Sequence, residues 1–288
     1  MNALRYLHVD VFAARPYAGN SLPVFMDASD LTMEQMLAIT RELRHFEAIF
    51  LAETPTPGTY RARIFDLFAE LPFAGHPIIG AACALHCHGN PEEERHWIFE
   101  LAERTVSVVT QRAITGFAAM LDQGEAVFLG ECDDRDDVAA AFDLDPSDLH
   151  PQLPMVVVST GLRYLIVPVS PGALEKARIR TDISALVKRA GAQFAVLLDE
   201  AALEIRHWNN DGIVEDVGTG SAAGTVGAYR MRYCDARSGE IFTLNQGRFS
   251  GRPSVIDVKP RGTADAVHSV LVGGKVAIVG HGVLEVLP

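Results

Sequence analysis

Apolar residues along this chain fall into two spacings, and the order in which those spacings occur repeats. TMEQMLAITREL (32–43) places apolar side chains at helical spacing behind Thr32, a residue type that caps helix N-termini. DISALVKRAG (182–191) has the same form, with Asp182 able to cap and Gly191 where a helix C-terminus favours glycine. Before each helix comes a glycine turn and a strand-like run, AGNSLPVFM (18–26) and TGLRYLIVPV (160–169). After each comes an apolar strand, FEAIFLAE (46–53) and AQFAVLLDE (192–200), then a second, YRARIF (60–65) and LEIRHW (203–208). A glycine turn and a small-residue apolar segment follow in both halves: ELPFAGHPIIGAA from Glu70, and EDVGTGSAAGTVG from Glu215, 145 residues later. Laid without gaps, Gly75 falls on Gly220, His76 on Ser221 and Ala74 on Thr219.

Each half therefore reads strand, turn, strand, helix, strand, strand, glycine turn, helix, then more strands. That order predicts an α+β chain of two similar domains. RAITGFAAM (112–120) is the expected boundary, and GECDDRDD (130–137) a solvated loop before the helix VAAAF. KVAIVGHGVLEVLP (275–288) has strand character.

Composition narrows the class. The chain has 288 residues, 48% apolar and 22% charged, enough for a full core. Its formal charge of −12 argues against nonspecific nucleic-acid binding, which depends on neutralising phosphates. It says little about a small anionic substrate, because a local field can oppose the net charge. No apolar run reaches the length of a membrane span. The N-terminal stretch reads as a strand rather than a signal peptide, so the expected compartment is the cytoplasm. Four cysteines are then expected to be reduced thiols. In CALHCH (83–88), helical spacing should bury Cys83 and Cys87 on one face and turn His86 elsewhere. No metal is assigned there.

The chemistry concentrates at the two glycine turns. A turn feeding a helix leaves backbone N–H groups without intrahelical partners at the positive end of the helix dipole, a natural carboxylate site. Gly75, Gly220 and Ser221 are the binding candidates, and Pro77 suits a first helical turn. Pseudo-symmetric domains commonly face each other across a cleft, where ligands collect. Asp216 precedes the second turn; its neighbour Glu215 should point the opposite way, and Glu70 is its counterpart in the first half. Glu47 heads an otherwise apolar strand. Either it lies at the solvent edge or it is buried with a purpose, and burial would suit it for proton transfer.

FAELPFAGHPIIGAACAL, GIVEDVGTGSAAG and NQGRFSGRPSVIDV resemble the three signature regions of the phenazine-biosynthesis isomerase (PhzF-like) family, and HVDVFAARPYAGNSLPVF resembles its N-terminal strand and turn. The resemblance implies two pseudo-symmetric diaminopimelate epimerase-like domains, each a sheet wrapped around a central helix, with the active site in the cleft between them. It implies that the C-terminal strand returns to the first domain, giving domains of 1–115 with 275–288, and 116–274. It implies a homodimer and an isomerase that moves a proton within a small carboxylate- or amine-bearing substrate, with no metal or organic cofactor. The substrate class it implies is a secondary-metabolite intermediate, cyclic unsaturated compounds among them; the sequence leaves open a phenazine precursor, another antibiotic intermediate or a routine metabolite. Residue by residue, Glu47 matches the catalytic glutamate, His76 the histidine of the first turn, and Asp216 and Ser221 the aspartate and serine of the second. Asn20 matches an asparagine that contacts substrate. The two cysteines of the epimerases fall at Ala74 and Thr219, which argues against a two-thiol mechanism. The family's serine and threonine beside the glutamate are Phe46 and Ala48 here, its Thr-Pro or Ser-Pro dipeptides are Asp66-Leu67 and Asn209-Asn210, and its proline after the aspartate is Val217. Catalysis is thus assigned to Glu47, His76 and Asp216, and substrate binding to Asn20, Gly75, Thr219, Gly220 and Ser221. The rival readings are a racemase, epimerase or lyase on the same scaffold, and a small-molecule-binding protein without turnover.

Overall fold

A computed structural model of the chain describes residues 3–89 and 92–288, so Met1 and Asn2 of the N-terminal stretch lie outside the described residues. The chain divides into two compact units, Met1–Asp122 with Gly273–Pro288, and Gln123–Val272.

In the first unit the elements are β1 Leu4–Val11, β2 Asn20–Phe25, α1 Met33–Leu43, β3 Ala48–Glu53, β4 Thr59–Phe65, β5 Glu70–Leu71, α2 Gly75–Gly89, β6 Glu94–Glu100, β7 Thr105–Arg112 and β8 Phe117–Asp122. In the second they are β9 Val127–Glu131, α3 Arg135–Ala141, β10 Val156–Ser159, β11 Arg163–Val169, α4 Ala173–Lys176, α5 Ser184–Arg189, β12 Phe194–Asp199, β13 Glu204–Trp208, β14 Glu215–Asp216, α6 Gly220–Tyr233, β15 Phe242–Gln246 and β16 Ser254–Gly262. The last strand, β17 Val267–Leu284, begins in the second unit and ends in the first, where it pairs antiparallel with β1.

The pairing order is the same in both units. β2 and β3 run parallel on either side of α1, as β11 and β12 do on either side of α4 and α5. β3 turns back antiparallel onto β4, and β12 onto β13. β4 then pairs antiparallel with the short β5 and parallel with β6, reached through α2. β13 does the same with β14 and, through α6, with β15. A parallel partner requires a crossover, and a helix is the usual one.

The crossover helices α2 and α6 form the centres of their units. α2 is buried from Gly75 through His86, and α6 from Gly220 through Met231. Over these stretches neither helix keeps a solvent face, and the sheet wraps it; the buried charge of Arg230 is paired with Glu200. Close packing needs small residues. A Cβ at Gly80 would sit 2.5 Å from a Leu22 methyl and 2.9 Å from one of Val11.

Local signals explain the outer helices. Thr32 caps α1 in a reciprocal box with Gln35. Asp182 Oδ1 accepts the Ser184 N–H at the start of α5, and Gly191 takes the left-handed conformation at its end.

Residues 112–120, near which the boundary was expected, form a hairpin in which β7 and β8 pair antiparallel, closed by Ala113 N–H to the Gly116 carbonyl, and the units divide after Asp122. Two expectations need correction. The acidic run is shorter as a loop than expected. Gly130 and Glu131 end β9, and α3 already starts at Arg135, with Asp136 and Asp137 favoured in its first turn. In CALHCH, His86 is buried and Cys87 exposed. His86 Nδ1 meets Thr110 Oγ1 and Nε2 meets the Glu92 carbonyl, each at 2.8 Å, so a polar ring is satisfied inside.

Candidate active site

Each unit gathers its own set of the expected residues. In the first, Asn20 opens β2, Gly75 and His76 open α2, and Glu47 immediately precedes β3. Asn20 and His76 are buried, and the Glu47 side chain is 20% exposed. Asn20 Nδ2 lies 3.4 Å from His76 Nδ1, and His76 Nε2 lies 3.1 Å from Glu47 Oε2. With the amide donating to Nδ1, a neutral ring carries its proton on Nε2, the ring nitrogen nearer Glu47. Glu47 is therefore neither a surface residue nor fully sealed.

A second polar chain adjoins this one. Ser21 Oγ lies 2.7 Å from His8 Nε2 and 3.0 Å from His45 Nδ1. Ser21 follows Asn20, and His45 precedes Glu47 by one residue.

In the second unit, Asp216, Thr219, Gly220 and Ser221 come together at the start of α6. Asp216 Oδ1 accepts the Gly218 N–H at 3.1 Å, and Oδ2 accepts the Thr219 hydroxyl at 2.5 Å. Ser221 Oγ lies 2.8 Å from the Tyr164 hydroxyl. Gln123 donates to the Gly220 carbonyl and accepts from the Thr160 hydroxyl. A Cβ at Gly224 would collide with that Gln123 side chain, 2.0 Å from its oxygen. His207 stands opposite Asp216 in the β13–β14 pair and donates Nδ1–H to the Ala195 carbonyl at 2.9 Å. Burial holds its imidazole below the ordinary range, while the Asp216 charge pulls the other way.

Both turns rest on an arginine clamp. Arg63 on β4 grips both oxygens of Glu70, at 2.8 and 2.6 Å. Arg206 on β13 grips both oxygens of Glu215, each at 2.8 Å. Because neighbours on an extended strand point to opposite sides, fixing Glu215 sends Asp216 toward Thr219. Glu70 and Glu215 are thus structural partners of arginine.

Sequence reading missed Gln246, Gln123 and Tyr164 as parts of the second set. Gln246 lies inside the NQGRF stretch, so a signal was present without a role attached. Gln123 and Tyr164 are distant in sequence and carry no local motif.

A family model described as phenazine biosynthesis-like protein, PhzC-PhzF, matches residues 9–282, and the chain belongs to that family. It is 32% identical over 293 residues to the trans-2,3-dihydro-3-hydroxyanthranilate isomerase of Pseudomonas chlororaphis, covering 97% of this chain and 98% of the relative. A solved structure of a predicted epimerase from Pseudomonas aeruginosa is 47% identical, with a TM-score of 0.92 over 98% of this chain and 99% of that one. A PhzF-family protein from Bacillus anthracis shares the fold at 22% identity, TM-score 0.87 over 99% and 100%. A probable proline racemase from Agrobacterium radiobacter shares it more distantly, at 14% identity and TM-score 0.62 over 97% and 92%. The fold is the diaminopimelate epimerase-like α+β class expected from the sequence.

Proposed function

We propose that this chain is an isomerase that relocates a proton within a small, cyclic, unsaturated compound bearing a carboxylate or an amine. Glu47 takes the proton from carbon and returns it elsewhere on the conjugated skeleton. His76 holds Glu47 in place and can share its proton. The observation that carries the reading is the Asn20–His76–Glu47 chain, a half-buried carboxylate within 3.1 Å of a fixed imidazole. A base of this kind contributes about 10²- to 10⁴-fold to a proton transfer. The step calls on no metal and no organic cofactor, because a carboxylate and an imidazole suffice for it.

In the second unit, Asp216 and Ser221 bind polar groups of the substrate. The N–H groups at Gly220 and Ser221 suit a carboxylate, since the first N–H groups of a helix lack intrahelical partners. Gly75 offers the same at α2.

The relatives' substrate is the first compound to test. Trans-2,3-dihydro-3-hydroxyanthranilate incubated in heavy water and followed by proton NMR should show the double bonds shift, with deuterium entering at the receiving carbon in the fraction of turnovers in which the proton on Glu47 exchanges with solvent before delivery. No conversion of it, and no deuterium uptake by a panel of cyclic unsaturated amino acids, would overturn the reading. The similarity to a predicted epimerase keeps one second reading, racemisation or epimerisation. It would show as deuterium at a stereocentre with the double bonds unmoved. Ala74 and Thr219 at the two turns supply no thiol pair for it.

A further inference from the structure

Gln246 ends β15 and is 1% exposed. Its side chain makes three hydrogen bonds, all to the second glycine turn. Oε1 accepts the Thr219 N–H at 2.8 Å; Nε2 donates to the Asp216 carbonyl at 2.8 Å and to Thr219 Oγ1 at 2.9 Å. The amide cannot be turned around. A backbone N–H can only donate and a backbone carbonyl can only accept, so both ends of the amide are fixed by groups without a choice.

Direction then passes down the chain. Thr219 Oγ1 receives a proton from Gln246, so its own single hydroxyl proton goes to Asp216 Oδ2. Asp216 Oδ1 receives the Gly218 N–H. Both oxygens of Asp216 are accordingly held as acceptors. The backbone presses this arrangement together. Gly247, next to Gln246, has φ +81°, and a Cβ there would lie 2.5 Å from the Val217 carbonyl oxygen.

We infer that Gln246 is a positioning residue. Through Thr219 it fixes Asp216 as a hydrogen-bond acceptor, so the second turn selects substrates that present a donor, an ammonium or amine, beside their carboxylate. Thr219 spends its hydroxyl on Asp216 and is not itself an acid or base. The inference rests on the second turn being substrate-binding. It does not rest on Glu47 being the base.

The test is binding, read by calorimetry, with two stable probes that differ by the amine: 3-hydroxyanthranilate and 3-hydroxybenzoate. Wild-type protein should prefer the amine-bearing probe. Gln246→Met should weaken the amine-bearing probe about 10- to 100-fold, the range for a hydrogen bond to a charged group, and the other by far less. Thr219→Val, nearly equal in volume, should reproduce that loss, and Thr219→Ser should restore binding. The Gln246→Met/Thr219→Val pair should lose little more than either single variant, because both cut one chain. If Gln246→Met does not fold, the two Thr219 variants carry the test alone. Equal losses for both probes, no loss, or no preference for the amine in wild-type protein would overturn the inference. Turnover by Glu47→Gln, which would sink the proposed base, leaves these binding results unaffected.

Discussion

At the first turn His76 stands where the second has Ser221, and Ala74 stands where the second has Thr219. The frame beneath is shared: an arginine two strands back, a glutamate gripped by both its oxygens, and a buried helix opening on glycine. What differs is how firmly each turn is tied. Arg63 and Glu70 are 30% and 28% exposed, against 2% and 13% for Arg206 and Glu215. Arg206 also donates to the carbonyls of Leu174 and Ala177, and its guanidinium lies over the rings of Trp208 and Phe249, 4.3 and 4.2 Å from their centroids. The second turn adds the Gln246–Thr219–Asp216 chain, a set of groups with their proton positions fixed. The first turn instead presents an imidazole beside a carboxylate, two groups whose protons can move. On the proposed reading, the second frame serves for holding and the first for transfer.

The largest expected effect separates the two clamps. Arg206→Ala leaves Glu215 without its partner in a buried site and should cost about 3–5 kcal/mol in a denaturant melt. Arg63→Ala should cost no more than about 1 kcal/mol, because water already reaches that pair. Similar costs for the two would break the comparison. Next is His76→Asn, which keeps a polar group at the turn without a titratable ring. It should lower kcat about 100-fold, with a smaller change in KM. A change in KM alone would move His76 to the holding side. The smallest effect is a pH dependence at His207. Burial keeps its folded-state pKa below the ordinary 6.5. The unfolded chain therefore takes up a proton below about pH 6.5 that the folded chain refuses, and stability falls as pH drops through that point. Above it the contribution is constant. His207→Gln should flatten this part of the melting curve against pH; an unchanged curve would remove His207 from the account.

Much of this division was legible from sequence, because it rests on local spacing. The cap at Thr32, the Asp182 turn that precedes the Ile183 N-cap of α5, the strand runs and the 145-residue repeat depend on neighbours along the chain. Glu47 stood out as a carboxylate heading an apolar strand, motif resemblance added Asn20 and His76 and gave all three their roles, and the structure brings them together. Cys87 and His86 were misassigned because helical spacing says which residues share a face, not which polar ring finds partners inside. Thr110 and Glu92 supply those partners from outside the helix. Gln246 was hidden for the same reason. Its meaning comes from three hydrogen bonds made 27 to 30 residues away along the chain. The clamp on Glu215 was half visible, since strand alternation already separated it from Asp216.

The central claim is that Glu47 moves the proton while other groups hold the substrate. The most direct test is Glu47→Gln, a change of one atom, with binding and turnover measured on the same preparation. Affinity for 3-hydroxyanthranilate should stay within about threefold of wild type, while turnover of trans-2,3-dihydro-3-hydroxyanthranilate falls about 10²- to 10⁴-fold. Turnover near the wild-type rate, with binding intact, would contradict it.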